Sequence, residues 1–279
     1  MTSQLRMLIF GAHPDDCEFT AGGTAARYTA LGHRVLLVSV TNGDAGHHEQ
    51  AGAILARRRR TEAAAAAAVI GAESLLLDNH DGELLPTLEA RRAIIGVIRE
   101  YRPDLIISPR PNDYHPDHRY TAQLVQDAAY MITVPNIVTA YRHLELNPVI
   151  MYCSDTFQKP VPFAADVVVP IDTVAEHKVD MLHAHTSQIY EWLPYNGGYL
   201  AQVPAEDIAR RTWLRQRLDD RLRRDADRFR IELCRAYGTA VGGAVQYAEA
   251  FEVCEYGAVL DATARRRLFP FGEITNSML

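Results

Sequence analysis

Two short loops carry most of the side chains able to do chemistry. Gly11-Ala-His-Pro-Asp-Asp16 follows an apolar run at residues 7–10, and Ser108-Pro-Arg-Pro-Asn-Asp-Tyr-His-Pro-Asp-His118 follows another at 105–107. Pro14 biases His13 toward extended backbone and stiffens the turn. His13 and Asp16 can then face a common centre while Asp15 faces elsewhere. His115 and His118 lie three apart where a helix is expected to begin, so they can share one face. Two imidazoles and one carboxylate make a three-ligand site with open positions, the layout of catalytic rather than structural zinc. An aspartate at one such turn is as readily a helix cap. Two His/Asp-dense loops together are what point to a site.

The elements that must position these loops read as an alternation of strands and helices. After the run at 7–10 come a helix near 17–31, a strand at 34–40, an Ala- and Arg-rich helix near 50–70 and a short strand at 74–77. A helix at 88–101 and the strand at 105–107 follow. Strands apolar on both faces, joined by helices, predict an open doubly wound, mostly parallel, Rossmann-like α/β sheet with helices on both faces. Sites in such sheets form beyond the carboxyl ends of the strands. The two loops meet if their strands are neighbours. Further on, the pattern predicts a helix at 118–133, strands at 149–153 and 166–169, a helix at 173–192 and a charged helix at 205–237. Leu214, Leu218, Leu222, Phe229 and Leu233 form the apolar face of that last helix. No linker divides the chain. One domain over 1–279 is expected, with a catalytic core at about 5–195 and a C-terminal helical elaboration and closing segment at about 196–279.

Composition excludes several function classes. The chain has 279 residues, 48% apolar and 23% charged, with net charge −6, which argues against an electrostatic grip on nucleic acid. No apolar run reaches the roughly 18–20 residues of a membrane span, and the first residues lack a signal-peptide layout. A cytoplasmic protein acting on a small molecule is expected, with homo-oligomerisation open on base rates alone. Cys17, Cys153, Cys234 and Cys254 form no C-x-x-C pair and read as free thiols. Neither G-x-G-x-x-G nor a P-loop is present. The facial triad of non-haem Fe(II) oxygenases shares the ligand types, but the α/β pattern and the three-residue step from His13 to Asp16 argue against it. A non-catalytic metal- or sugar-binding protein is the remaining alternative. His47 and His48, after the glycine-rich turn, read as solvated loop residues.

The two His-Pro-Asp loops resemble the paired signatures of the LmbE-like, or PIG-L, metal-dependent deacetylases. That family includes the de-N-acetylases of GlcNAc-phosphatidylinositol and of the mycothiol and bacillithiol precursors. Thr41-Asn-Gly-Asp-Ala-Gly46, Arg59-Arg-Thr-Glu62, Asp81-Gly82, His177-Lys178, His185-Thr-Ser-Gln188 and Ala248-Glu-Ala-Phe251 are similar to further family segments, in family order. The resemblance implies that His13, Asp16 and His118 bind Zn²⁺, with Fe²⁺ as an alternative. It implies that Asp15 is the general base and that His115 assists at the carbonyl with Asp117 as its orienting partner. Arg59 and Asp81 would contact a sugar, and His185 would line the pocket. A bound divalent ion lowers the pKa of its water toward about 7 and polarises a carbonyl, the two things an amide needs for hydrolysis. The implied reaction is N-deacetylation of an N-acetylglucosamine-type substrate or related intermediate. An amide of a thiol conjugate or of a non-sugar natural product is the alternative.

Overall fold

The computed structural model describes residues 4–272. Five strands run parallel: β1 (Arg6–Gly11), β2 (Arg34–Thr41), β3 (Glu73–Asn79), β4 (Leu105–Ser108) and β5 (Val149–Cys153). Helices α1 (Asp16–Ala30), α2 (Gly52–Val69), α3 (Leu88–Tyr101) and α4 (Pro116–Met131) link them. Alternate residues of each strand face opposite sides, which explains the uninterrupted apolar runs. Met7, Ile9, Leu105 and Ile107 pack with Ala21, Ala25 and Tyr28 of α1. Leu8, Phe10 and Ile106 pack with Ile94, Ile98 and Leu124 of α3 and α4. Thr87 caps α3 by accepting the Ala90 N–H, and Pro116 opens α4, where a missing N–H costs nothing.

The sheet order is β3-β2-β1-β4-β5-β7-β6. The chain winds outward from β1 through β2 to β3, then returns to the other side of β1 as β4. The strand order therefore reverses between β1 and β4, and a crevice opens at their carboxyl ends. That crevice receives both His-Pro-Asp loops.

Three features depart from the expected pattern. The helix expected at 173–192 is broken: α5 (Ala175–Ala184) stops at His185, a wide π-helical turn spans Ser187–Trp192, and α6 (Leu193–Asn196) follows. Glu62 of α2 takes the freed donors, accepting the Ser187 N–H at 3.0 Å and the Thr186 and Ser187 hydroxyls at 2.7 and 2.5 Å. The helix expected at 205–237 is two, α7 (Asp207–Arg228) and α8 (Arg230–Tyr237), separated where the buried Phe229 leaves helical geometry to pack on Phe163. Helices α9 (Thr239–Ala244) and α10 (Ala262–Leu268) complete the set.

The C-terminal segment is also not wholly helical. Ala248–Val253 forms β7, inserted antiparallel between β5 and β6 (Val167–Pro170). Its Glu249 is buried and reaches α1, where Ala21 departs from helical geometry and frees two amides. Glu249 accepts the Gly23 and Thr24 N–H groups at 2.8 and 2.7 Å and the Lys178 ammonium at 2.6 Å. A charge buried on this scale is tolerated because each lone pair is used. Among the described residues, no helix is long and apolar enough to cross a membrane.

Candidate active site

The β1–α1 turn is tight because of one glycine. A Cβ on Gly11 would lie 2.6 Å from the Cβ of Asp16, so only glycine lets the first turn of α1 fold back over the strand end. Asp15 then sits at φ 128°, ψ −22°, a region that side-chain-bearing residues rarely occupy. This strained residue makes neighbouring carboxylates diverge. Asp16 turns toward His13 and Asp15 turns toward Arg59.

His13 Nδ1 and His118 Nε2 each lie 3.4 Å from Asp16 Oδ2. Two donors bound about 2.0–2.1 Å from one tetrahedral zinc sit roughly 3.3–3.4 Å apart, so each imidazole-to-Asp16 spacing matches that of two ligands on a shared ion. The far nitrogens are held by carboxylates. His13 Nε2 faces Asp117 Oδ2 and Asp81 Oδ1, both at 3.2 Å, and His118 Nδ1 faces Asp113 Oδ2 at 3.1 Å. Each far nitrogen is thereby assigned its proton and each near nitrogen keeps its lone pair, the arrangement that makes imidazole a good ligand. His115 is also close: His13, His115 and His118 can bring one ring nitrogen each within 4.8 Å of one another, as can the ligand atoms of His13, Asp81 and Asp117. The second of these groups is the poorer metal site. Asp117 is fully buried and already accepts the Gly82 N–H at 2.7 Å, whereas Asp16 and His118 open onto the cavity.

The electrostatics suit a cation. Burial alone would raise the Asp16 carboxyl, but the His118 and His13 charges hold it well below the usual range. Burial opposes charge on His118, yet Asp16 and Asp113 push its pKa up to about 10. Against the same burial, Asp117, Asp16 and Asp81 hold His13 well above the ordinary imidazole value. Without metal, protons occupy the place of the cation. Metal must displace one proton from each imidazole, so affinity is expected to fall by up to about 100-fold per pH unit between pH 8 and 6. Competition titrations with a chromophoric chelator at both pH values check this; a pH-independent affinity would exclude the two histidines as ligands. Asp113→Asn, which keeps shape but weakens the support of His118, is expected to cost about 10–100-fold in metal affinity in the same assay.

Asp15 is buried beside this centre, with Oδ1 3.6 Å from Arg59 Nη2. Burial pushes its carboxyl up to about 6; Arg59, His185 and His13 oppose the rise and Asp16 adds to it. A carboxylate so poised can take and return a proton near neutral pH. His115 caps α4: the Asp117 backbone N–H donates to His115 Nδ1 at 3.2 Å. Its Nε2 is therefore the protonated nitrogen. Burial lowers the His115 pKa, and His13 and His118 lower it further.

Several sequence-based expectations change here. The Asp117 carboxylate does not orient His115; it supports His13, and only the Asp117 amide touches His115. Of the four consecutive arginines, Arg59 is the one lining the cavity, but its guanidinium is committed to the Pro14 and Gly43 carbonyls at 2.7 and 3.3 Å and to Asp81 at 3.4 Å. A Cβ on Gly43 would strike that guanidinium. Asp81 is likewise committed, to His13 and Arg59, and Asp44 accepts its backbone N–H at 3.0 Å. Both side chains position the centre from one edge of the cavity. His185 does not reach the cavity: it is fully buried behind Asp15, with Nε2 3.1 Å from Glu18. His47 is buried rather than solvated, its Nε2 2.8 Å from Glu191.

The sequence reading missed Asp113, although it lies inside the second loop. It also missed Arg221 and Arg224 of α7, which line the same cavity of about 530 Å³. No local signal marks them, because only the packing of α7 beside α1 and α5 brings them there.

A mostly parallel α/β sheet with an imidazole- and carboxylate-lined crevice at its switch point has the layout of an enzyme active site. The PIG-L family pattern, GlcNAc-PI de-N-acetylase, matches residues 8–129. The diacetylchitobiose deacetylase of Thermococcus kodakarensis is 32% identical over 201 residues, spanning 68% of this chain and 74% of that protein. Among solved structures, the N,N'-diacetylchitobiose deacetylase from Pyrococcus horikoshii superposes with a TM-score of 0.69 at 22% identity, covering 90% of this chain and 84% of that one. The 4-carboxy-2-hydroxymuconate hydratase from Pseudomonas putida KT2440 gives 0.70 at 19% identity, covering 92% and 99%. Those two likenesses speak for the fold, which evidently serves more than one reaction. The chain belongs to the PIG-L family and is a deacetylase, a hydrolase of N-acetyl groups.

Proposed function

We propose that the chain is a zinc-dependent N-deacetylase of an N-acetylglucosamine-type substrate, with His13, Asp16 and His118 holding the metal. The observation that carries the reading is the 3.4 Å convergence of both imidazoles on Asp16 beside the buried, non-ligand Asp15. The relative that acts on diacetylchitobiose supports the substrate class. The cavity volume falls within the range of about 300–1,000 Å³ usual for small-molecule sites.

When bound, the ion supplies Lewis acidity, lowering the pKa of water and polarising the amide carbonyl. Asp15 accepts the proton of the attacking water as the new C–O bond forms. The same carboxyl returns that proton to the amide nitrogen as the C–N bond breaks, giving acetate and a free amine. Arg59 keeps Asp15 aimed and stabilises its charged form. His115 presents an Nε2–H donor to the carbonyl oxygen as negative charge develops there. Asp113 and Asp117 fix the ligand imidazoles, and Asp81 shares that work with Asp117.

The test is release of primary amine from N-acetylglucosamine and N,N'-diacetylchitobiose by zinc-loaded, iron-loaded and chelated protein. Amine is expected from metal-loaded protein only, with the two loadings ranking zinc against iron. Release by the chelated protein, or none from any sugar with metal bound, overturns the reading.

A further inference from the structure

Helix α7 is rich in arginine, and most of these side chains have partners. Arg211 pairs with Glu176 and Asp180, Arg215 and Arg223 pair with Asp219, and Arg228 donates to the Phe163 carbonyl. Arg217 makes a cation–π contact with Tyr199, 4.0 Å from the ring centroid. Arg221 and Arg224 differ: among the described residues neither engages a carboxylate or a carbonyl, and both line the catalytic cavity. They are one helical turn apart and both are exposed to solvent, so their mutual repulsion is small.

The carboxylates sharing that cavity are already used. Asp113 holds His118, Asp155 faces Arg110 at 3.3 Å, and Asp81 is taken by His13 and Arg59. Asp15 and Asp16 are near enough to act on Arg221 electrostatically, yet each has its own cation in Arg59 and His118. Arg221 is nevertheless held in place, its guanidinium 4.5 Å from the centroid of Phe19 on α1. A cation–π contact of this kind restrains the guanidinium without using its N–H donors. A guanidinium held over an aromatic ring, with its donors unused and a second unpaired arginine one turn away, can bind carboxylate or phosphate.

We propose that Arg221 and Arg224 bind an anionic group, carboxylate or phosphate, on the part of the substrate remote from the scissile amide. This rests on the deacetylase reading and narrows it: diacetylchitobiose, the substrate named for the relative, carries no charged group, so this chain selects a different member of the amino-sugar class.

The experiment compares N-acetylglucosamine, its 6-phosphate and N-acetylmuramic acid, the same sugar bearing a carboxylate. Turnover is measured with zinc-loaded enzyme and binding by calorimetry with zinc-loaded Asp15→Asn protein. At least one of the two anionic sugars is expected to bind at least about tenfold more tightly than the neutral one, the scale of one charge-assisted hydrogen bond. Which of the two binds more tightly tells phosphate from carboxylate. The preference is expected to weaken with salt and to collapse toward unity in Arg221→Gln/Arg224→Gln, through KM rather than kcat. Equal or weaker binding of both anionic sugars overturns the proposal, as does a preference that survives the double substitution. An anion preference in binding without turnover of any sugar overturns the deacetylase reading and leaves the arginine site standing.

Discussion

Asp15→Asn is expected to lower turnover by about 10²–10⁴-fold while leaving zinc bound. The amide cannot accept a proton, and Asp15 is turned away from the ligand trio toward Arg59, so its loss should not release the metal. A second readout separates a chemical role from damage to the fold. The folded-state pKa of Asp15, about 6, lies above its ordinary value of 3.8. The folded chain therefore holds this proton more tightly than the unfolded one. The stability it confers is complete below about pH 4 and is lost as pH rises through 6. At pH 8 the metal-free wild type carries a buried carboxylate that burial disfavours, and asparagine removes it. Metal-free Asp15→Asn should thus melt above metal-free wild type at pH 8, with the difference vanishing near pH 4. Arg59 retains Asp81 and two carbonyls, so it is not stranded. Undiminished turnover, measured as amine release, would remove Asp15 from the mechanism.

The second large effect concerns which histidine of the second loop is the ligand. Three imidazoles lie close together, so the question is a real one. His118→Ala is expected to bring zinc content after dialysis near zero and activity to background. His115→Ala is expected to keep zinc and lose about 10²–10³-fold in turnover, the scale of one lost oxyanion donor. The distinction follows from what each ring already does. His118 points Nε2 at Asp16 with Nδ1 fixed by Asp113, whereas His115 spends Nδ1 on the cap of α4. Elemental analysis of both variants decides it, and the reverse pattern would exchange the two assignments.

Much of this was legible before any coordinates. The apolar runs at β1 and β4 locate the sheet because parallel strands are buried on both faces, and the switch point follows from the winding. The two loops declare themselves because rigid prolines and ionisable side chains rarely share so few residues. What stayed hidden depended on long-range packing. Asp117 was paired with the wrong histidine because adjacency in sequence favours His115, whereas the β1–β4 neighbourhood delivers its carboxylate to His13. His185 reads as a pocket residue from its motif, yet the break after α5 turns it inward against Glu18. Arg59 reads as a sugar contact, but the tight Gly43 turn brings carbonyls close enough to occupy it. Strand β7 escaped notice because Ala-Glu-Ala-Phe-Glu-Val carries no continuous apolar run, and its buried Glu249 looks like a surface residue until α1 is seen to need it.

Glu249 has a consequence for the order in which the protein comes into being. Every proposed ligand has been synthesised by residue 118, yet the helix opening with Asp16 is anchored by a side chain 226 residues beyond Gly23. A nascent chain thus carries a complete set of metal-binding groups long before it can hold them in register, and such distant closure is slow. A fragment ending at residue 240 should bind zinc far more weakly than the full chain, as dialysis against a buffered zinc pool would reveal; equal retention would mean that α1 settles without its distant anchor. On this view metal capture is a late event of biosynthesis, and the last strand to emerge licenses the first loop to work.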